Sequence, residues 1–242
     1  MMRVADIHAA WRDLPLGSLE DIIGSGTCLV LSPHPDDESL GCGGLIAACV
    51  ADGRPPLVAI LTDGTGSHPR SRKWPPERLK ALRYQEVTEA VSRLGLSQDR
   101  LVFLDTRDTE APTEGPAFDA AANRLLGLLH GVTAILAPWR FDPHADHVAA
   151  GLLAARVAKD ARIRHIAYPV WGWCLPPDDR LDEERPAGWQ LDIQPWRSAK
   201  QAAIAAHRSQ HGEVIDDDPQ AFSLTADFLA AFDTPFETFL MP

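Results

Sequence analysis

Residues 28–38 read Cys28-Leu29-Val30-Leu31-Ser32-Pro33-His34-Pro35-Asp36-Asp37-Glu38: an apolar run, then one imidazole and three carboxyl groups, then a glycine-rich stretch. A short continuous apolar run bounded by turn residues predicts a strand buried on both faces. Charge at the exit of such a strand is costly unless something binds it. The same pattern returns later, where Ala134-Ile135-Leu136-Ala137 precedes Asp142-Pro143-His144-Ala145-Asp146-His147. Two His/Asp clusters, each at a strand end, predict a divalent-metal hydrolase site.

Working outward, apolar runs at 57–61, 101–104 and 165–170 predict further strands. Helical spacing predicts helices at 43–50, 77–94, 118–129, 148–158 and 198–207. Near-continuous apolar strands alternating with helices imply an α/β fold: a Rossmann-like, mostly parallel sheet covered by helices on both faces. Ligands in such sheets bind beyond the carboxyl ends of the strands. Residues 34–38, Thr62-Asp63-Gly64, Asp105 and residues 142–147 all fall at such ends, so one crevice collects them. Residues 175–188 are Pro- and acid-rich and predict a surface loop, with an edge strand at 190–193. No internal repeat or linker divides residues 1–242, which read as one domain.

Composition narrows the function class. The formal net charge of −11 over 242 residues excludes nucleic acid and anionic membrane as natural partners. A bound cation still permits an anionic substrate. No apolar stretch approaches the roughly 18–20 residues of a membrane helix, and residues 1–8 show no secretory signal, so a cytoplasmic location is expected. The four cysteines, Cys28, Cys42, Cys49 and Cys174, form no Cys-x-x-Cys pair and read as reduced thiols. A Gly-x-Ser-x-Gly elbow, a Walker loop and a Gly-x-Gly-x-x-Gly turn are all absent. A homo-oligomer stays open.

His34 and Asp37, three positions apart, can face one point, with His147 as third ligand. Two histidines and one aspartate suit zinc with an open position for water; Fe2+, Mn2+ or Co2+ fit the same donors. Bound zinc brings the pKa of water to about 7, supplying hydroxide at neutral pH. Asp36, beside a ligand but free to point elsewhere, is the candidate base. His144 is the candidate for stabilising the oxyanion and protonating the departing nitrogen, with Asp146 orienting it. Glu38 reads more simply as a carboxylate complementing a helix N-terminus.

These residues resemble the PIG-L/LmbE-like family of zinc-dependent N-deacetylases, which act on N-acetylglucosamine conjugates and related amides. The motifs that carry the resemblance are Pro33 to Glu38 and Pro143 to His147, supported by Thr62-Asp63-Gly64, Arg83, Glu86, Lys200 and Ser209-Gln210. It spans residues 28–210, with Ala145 where a proline is often found, and leaves residues 175–188 without a counterpart. The resemblance implies zinc on His34, Asp37 and His147, Asp36 as base and His144 aiding the intermediate. It also implies Arg83 and Asp105 as contacts to sugar hydroxyls, where a helix-surface ion pair of Arg83 with Glu86 and a strand-end cap are the plainer readings. Trp139, Trp171 and Trp173 either stack on a sugar or pack the rim. Lys200, Ser209, Gln210 and His211 either reach the cleft or pack a helix end.

The expected function is removal of an N-acetyl group from a small-molecule N-acetylglucosamine-type conjugate by attack of zinc-bound hydroxide. The rivals are an amidase for a larger acyl or thiol-containing conjugate and a metal-containing glycan-binding protein without turnover. Binding alone needs neither Asp36 nor His144, which argues against the second rival.

Overall fold

In the computed structural model, which describes residues 1–242, the chain runs β1 (Met2–Arg3), α1 (Val4–Arg12), α2 (Leu19–Ile23), β2 (Thr27–Ser32), α3 (Asp37–Ala51), β3 (Leu57–Thr62), α4 (Pro76–Arg93), β4 (Leu101–Thr106), α5 (Gly115–Leu126), β5 (Val132–Pro138), α6 (Ala145–Ala161), β6 (Arg164–Tyr168), β7 (Arg180–Leu181), β8 (Gly188–Asp192), α7 (Arg197–Ile204), α8 (Ala226–Ala230) and β9 (Phe236–Leu240).

Seven strands form one sheet in the order β4-β3-β2-β5-β6-β9-β8. The first five are parallel, and β9 runs antiparallel to both β6 and β8. Strand alternation puts Cys28, Val30, Val58, Ile60, Ala134 and Leu136 on one face, in a core with residues of α3, α4 and α7. Leu29, Leu31, Ala59, Leu61, Ile135 and Ala137 face the other way, against α5 and α6. Both faces are covered, which is why these strands read as continuous apolar runs rather than alternating ones.

Chain order reverses between β2 and β5: β3 and β4 extend the sheet on one side, β6 on the other. Loops leaving two such strands diverge to opposite faces and open a crevice at their carboxyl ends. Both His/Asp clusters leave from these two strands.

Three differences from the sequence reading bear on the site. Helix α3 begins at Asp37 rather than near residue 43, so the first cluster forms its opening turn. Its glycines hid it by lowering helix propensity, but they are needed for close approach. A Cβ at Gly41 would come within 2.3 Å of the Tyr168 ring, and one at Gly44 within 2.4 Å of Ile193. Residues 175–188 contain β7, which pairs with β1. Finally, β9 joins the sheet between β6 and β8, so the sheet is completed beyond residue 210.

Candidate metal centre

The β2–α3 turn is fixed from within. The Ser32 hydroxyl donates to the His34 carbonyl (2.7 Å) and accepts from Glu38 N–H (3.0 Å). Fully buried Glu38 accepts from Asp36 N–H (3.0 Å) and from the Ser39 hydroxyl (2.6 Å), so it braces the turn as well as complementing the helix. Asp36 itself sits at φ 152°, a conformation that L-residues rarely adopt. Such strain persists only where surrounding bonds over-determine it, and it is common at functional sites.

Across the crevice, three donor atoms from the two clusters converge. His34 Nδ1 and His147 Nε2 each lie 3.1 Å from Asp37 Oδ2, and 3.3 Å from one another. Zinc held by nitrogen and oxygen at its usual bond lengths needs donor separations of about 3.3 Å in tetrahedral geometry. The triangle matches that need, and its two imidazole nitrogens and one carboxylate oxygen are donors that zinc and its neighbours in the series accept.

The far side of each imidazole also fits a ligand role. His147 Nδ1 lies 3.2 Å from Asp142 Oδ1. His34 Nε2 lies 3.1 Å from Asp146 Oδ2 and 3.3 Å from Asp108 Oδ1. A carboxylate behind each ring holds the proton there and leaves the opposite nitrogen's lone pair for a cation.

Within the cluster the carboxylates and imidazoles set one another's protonation. Burial opposes the charge on Asp37, but adjacent His147 and His34 hold it well below the carboxylate range. Burial likewise opposes charge on His147, yet Asp37 and Asp142 push it up to about 9. The same contest raises His34, with Asp108, Asp146 and Asp37 overcoming desolvation. A divalent ion held there would replace those protons.

Asp36 and His144 flank the triangle in different states. Burial lifts Asp36 to about 6, with Arg83 pulling against that and Asp37 adding to it. Its Oδ2 accepts from Arg83 Nη2 at 3.0 Å. His144, half-buried at the head of α6, is lowered by desolvation and then by the neighbouring His34 and His147. Its Nδ1 accepts from Asp146 N–H at 3.2 Å, which leaves the proton on Nε2. The Asp146 carboxylate itself faces His34 and accepts from Thr109 and Ala111 N–H, so Asp146 orients His144 through its backbone and not through its acid.

These groups line a cavity of about 230 Å³. His34, Asp36, Asp37, Arg83 and His144 face it, while His147 and Asp146 lie in the buried layer behind. Arg83 bonds Gly64 and Pro35 carbonyls as well as Asp36, and not Glu86, whose carboxylate takes Ser209 N–H and hydroxyl (2.7 and 2.6 Å).

Asp105, expected as a substrate contact, is exposed, outside this cavity, and engaged by Lys80 (2.9 Å) and the Tyr84 hydroxyl (2.6 Å). The reason is strand length. β4 continues to Thr106, and the acid that reaches the cavity is Asp108, in the turn beyond.

Of the three tryptophans only Trp171 lines this cavity; Trp139 packs edge-on against Trp11, and Trp173 faces a different hollow. Gln210 reaches the cavity, Ser209 braces Glu86, His211 meets the Ile204 carbonyl, and Lys200 is buried against Glu237. No sequence pattern marks Asp108, Phe222 or Phe228 as part of the cavity, and none assigns Asp142 its contact with His147. Asp142 stood in plain view inside the second cluster.

The profile of PIG-L, described as GlcNAc-PI de-N-acetylase, matches residues 29–158, more than half of the chain and every polar group of the triangle. The chain belongs to the PIG-L family. Among PIG-L relatives, a 1D-myo-inositol 2-acetamido-2-deoxy-alpha-D-glucopyranoside deacetylase of Saccharomonospora viridis is 27% identical over 241 residues, covering 81% of this chain and 88% of its own. A 2'-N-acetylparomamine deacetylase of Streptomyces fradiae is 28% identical over 149 residues, where the match spans 55% of this chain and about half, 53%, of the relative. The N,N'-diacetylchitobiose deacetylase of Pyrococcus horikoshii shares the fold, with a TM-score of 0.65 at 21% identity over 98% of this chain and 90% of that one. These relatives are deacetylases of N-acetylated sugars. No helix of the protein is long and apolar enough to cross a membrane.

Proposed function

We propose that the protein is a metal-dependent amide hydrolase that removes the acetyl group from an N-acetylglucosamine-type conjugate. The observation that carries this reading is the His34–Asp37–His147 triangle with one carboxylate, Asp36, and one neutral imidazole, His144, at its edge. A divalent cation, zinc by donor type, would be held by these three residues and would acidify water and polarise the amide carbonyl.

The chain's own residues supply the proton traffic. Asp36 takes the proton from the attacking water; its raised pKa makes it a stronger base than an exposed carboxylate. His144 presents Nε2–H to the oxygen that gains charge as the carbonyl carbon becomes tetrahedral. Giving that proton away would leave an imidazolate, because Nδ1 already accepts from Asp146 N–H. The proton collected by Asp36 therefore goes to the nitrogen as the C–N bond breaks, leaving acetate and a free amine. This narrows His144 to the oxyanion role and moves nitrogen protonation to Asp36.

The test is acetate release from N-acetylglucosamine and its conjugates by zinc-loaded protein, with chelated protein as control. Release that disappears on chelation and returns with metal is the expected result. Full release from chelated protein would overturn the metal-dependent reading, and metal-replete protein inert toward every N-acetyl sugar would overturn the deacetylase reading.

A further inference from the structure

The catalytic cavity has a second kind of wall that the proposed chemistry does not use. Beside the His/Asp groups it is lined by Trp171, Phe222 and Phe228. The three rings form a closed cluster: Trp171 lies 5.2 Å from Phe222 and 5.0 Å from Phe228, with the two phenylalanines 6.1 Å apart. All three are only partly buried, so their remaining surface is offered rather than packed away. All three also fall outside residues 29–158, the span shared with the PIG-L profile. Exposed aromatic area inside a cavity is unfavourable unless a ligand covers it.

This wall is held in place before any ligand arrives. Phe222 N–H donates to the Ser67 carbonyl (3.3 Å), and Leu224 N–H to the Gln210 carbonyl (2.7 Å). Asp217 and Asp218, just ahead of it, accept from the backbone of Arg72, Lys73 and Arg70 at 2.8–2.9 Å. Preorganisation of this kind reduces the ordering that binding would otherwise require.

Charge narrows the ligand further. The lining carries Asp36, Asp37 and Asp108 against one arginine, Arg83, whose two terminal nitrogens already serve Gly64, Pro35 and Asp36. In the adjoining loop Arg70 is engaged by Gln220 and Lys73 by Asp216, while Arg72 is exposed to solvent. With both terminal nitrogens of Arg83 taken, the arginine that lines the cavity has no free fork to offer an anionic appendage.

Resting on the deacetylase reading, we propose that the natural substrate carries a neutral apolar group, aromatic or alkyl, which the Trp171–Phe222–Phe228 wall receives. The group is attached either at the anomeric oxygen of the amino sugar or in an acyl chain longer than acetyl, which would widen the proposed reaction from deacetylation to deacylation.

Steady-state kinetics of the metal-loaded protein test this. Phenyl and octyl β-glycosides of N-acetylglucosamine form one arm, N-octanoylglucosamine the second, and N-acetylglucosamine 1-phosphate the third, each compared with N-acetylglucosamine. At least one apolar arm should exceed the parent sugar by about tenfold in kcat/KM, mainly through KM. A gain on the glycosides places the wall at the aglycone; a gain on the octanoyl compound places it at the acyl chain. The phosphate should fall below the parent sugar. The double variant Phe222→Ala, Phe228→Ala should bring the apolar-to-parent ratio close to one. Turnover of the parent sugar with no gain on either apolar arm would overturn this proposal and leave the deacetylase reading standing. A phosphate preferred over the parent would overturn it too. Turnover of none of the compounds would instead remove the deacetylase reading, and this one with it.

Discussion

Two buried clusters of charge lie on either side of α3, and they are built to opposite rules. At its C-terminal strand partner, Glu237 is fully provided for: Oε1 takes Lys200 Nζ and Gly44 N–H (both 2.7 Å), and Oε2 takes Leu45 N–H (2.8 Å). At the helix's N-terminal end, Asp37, Asp142, Asp108 and Asp146 crowd two imidazoles. Buried polar atoms there, such as Asp142 Oδ1, His147 Nδ1 and Arg83 Nε, have no well-aligned hydrogen bond. The first cluster is complete as it stands. The second brings more nitrogen and oxygen atoms to one point than its own hydrogen bonds use, an arrangement suited to a cation.

The sharpest break in that comparison comes from Asp36. Asp36→Asn keeps the triangle but removes the base, so kcat should fall by about 10²–10⁴. Metal analysis of the same sample should show content unchanged. A variant that keeps wild-type kcat would take the base role from Asp36.

Glu237→Ala tests the other cluster. It strands the Lys200 ammonium in the interior and frees two N–H groups of α3, and should lower unfolding free energy by about 3–5 kcal/mol in denaturant melts. A loss below about 1 kcal/mol would mean the two clusters do not differ in kind.

Asp142→Asn should weaken metal binding by about 10–100-fold, because His147 loses the carboxylate behind it. Competition against a chromophoric chelator measures this directly. An unchanged affinity would assign Asp142 to the packing of the 170–172 turn, whose Val170 and Gly172 N–H groups it also accepts.

The smallest effect belongs to Asp105. Its contacts with Lys80 and Tyr84 are surface contacts, so Asp105→Ala should shift stability by less than about 1 kcal/mol. Its kcat/KM should stay within about twofold of the wild type. A tenfold loss in kcat/KM would return it to the substrate site.

Much of this fold is legible in the sequence. Parallel strands buried on both faces announce themselves as apolar runs, and a His/Asp cluster at the end of such a run has few structural explanations. Hence β2, β5, His34, Asp36, Asp37, His144 and His147 could be singled out from residue type and position alone. Asp105 reads as the strand-end acid, but a strand's end is uncertain by a residue or two; β4 runs to Thr106 and the acid lining the cavity is Asp108. The start of α3 was misread because glycine's low helix propensity speaks only of the isolated helix. The reason for Gly41 and Gly44 is contact with Tyr168 and Ile193, residues far along the chain.

The sequence by itself therefore determined the alternation of strands and helices, the two clusters and the kind of chemistry they can support, because those rest on local pattern and donor type. Tertiary structure alone decided how donors from two distant turns close into a triangle with 3.1–3.3 Å sides. It alone placed the proton of His144 on Nε2, through a backbone N–H that no pattern reveals. It alone brought Trp171, Phe222 and Phe228 together as one wall of the cavity, since contacts between segments so far apart depend on the packed chain and leave no periodicity in the sequence.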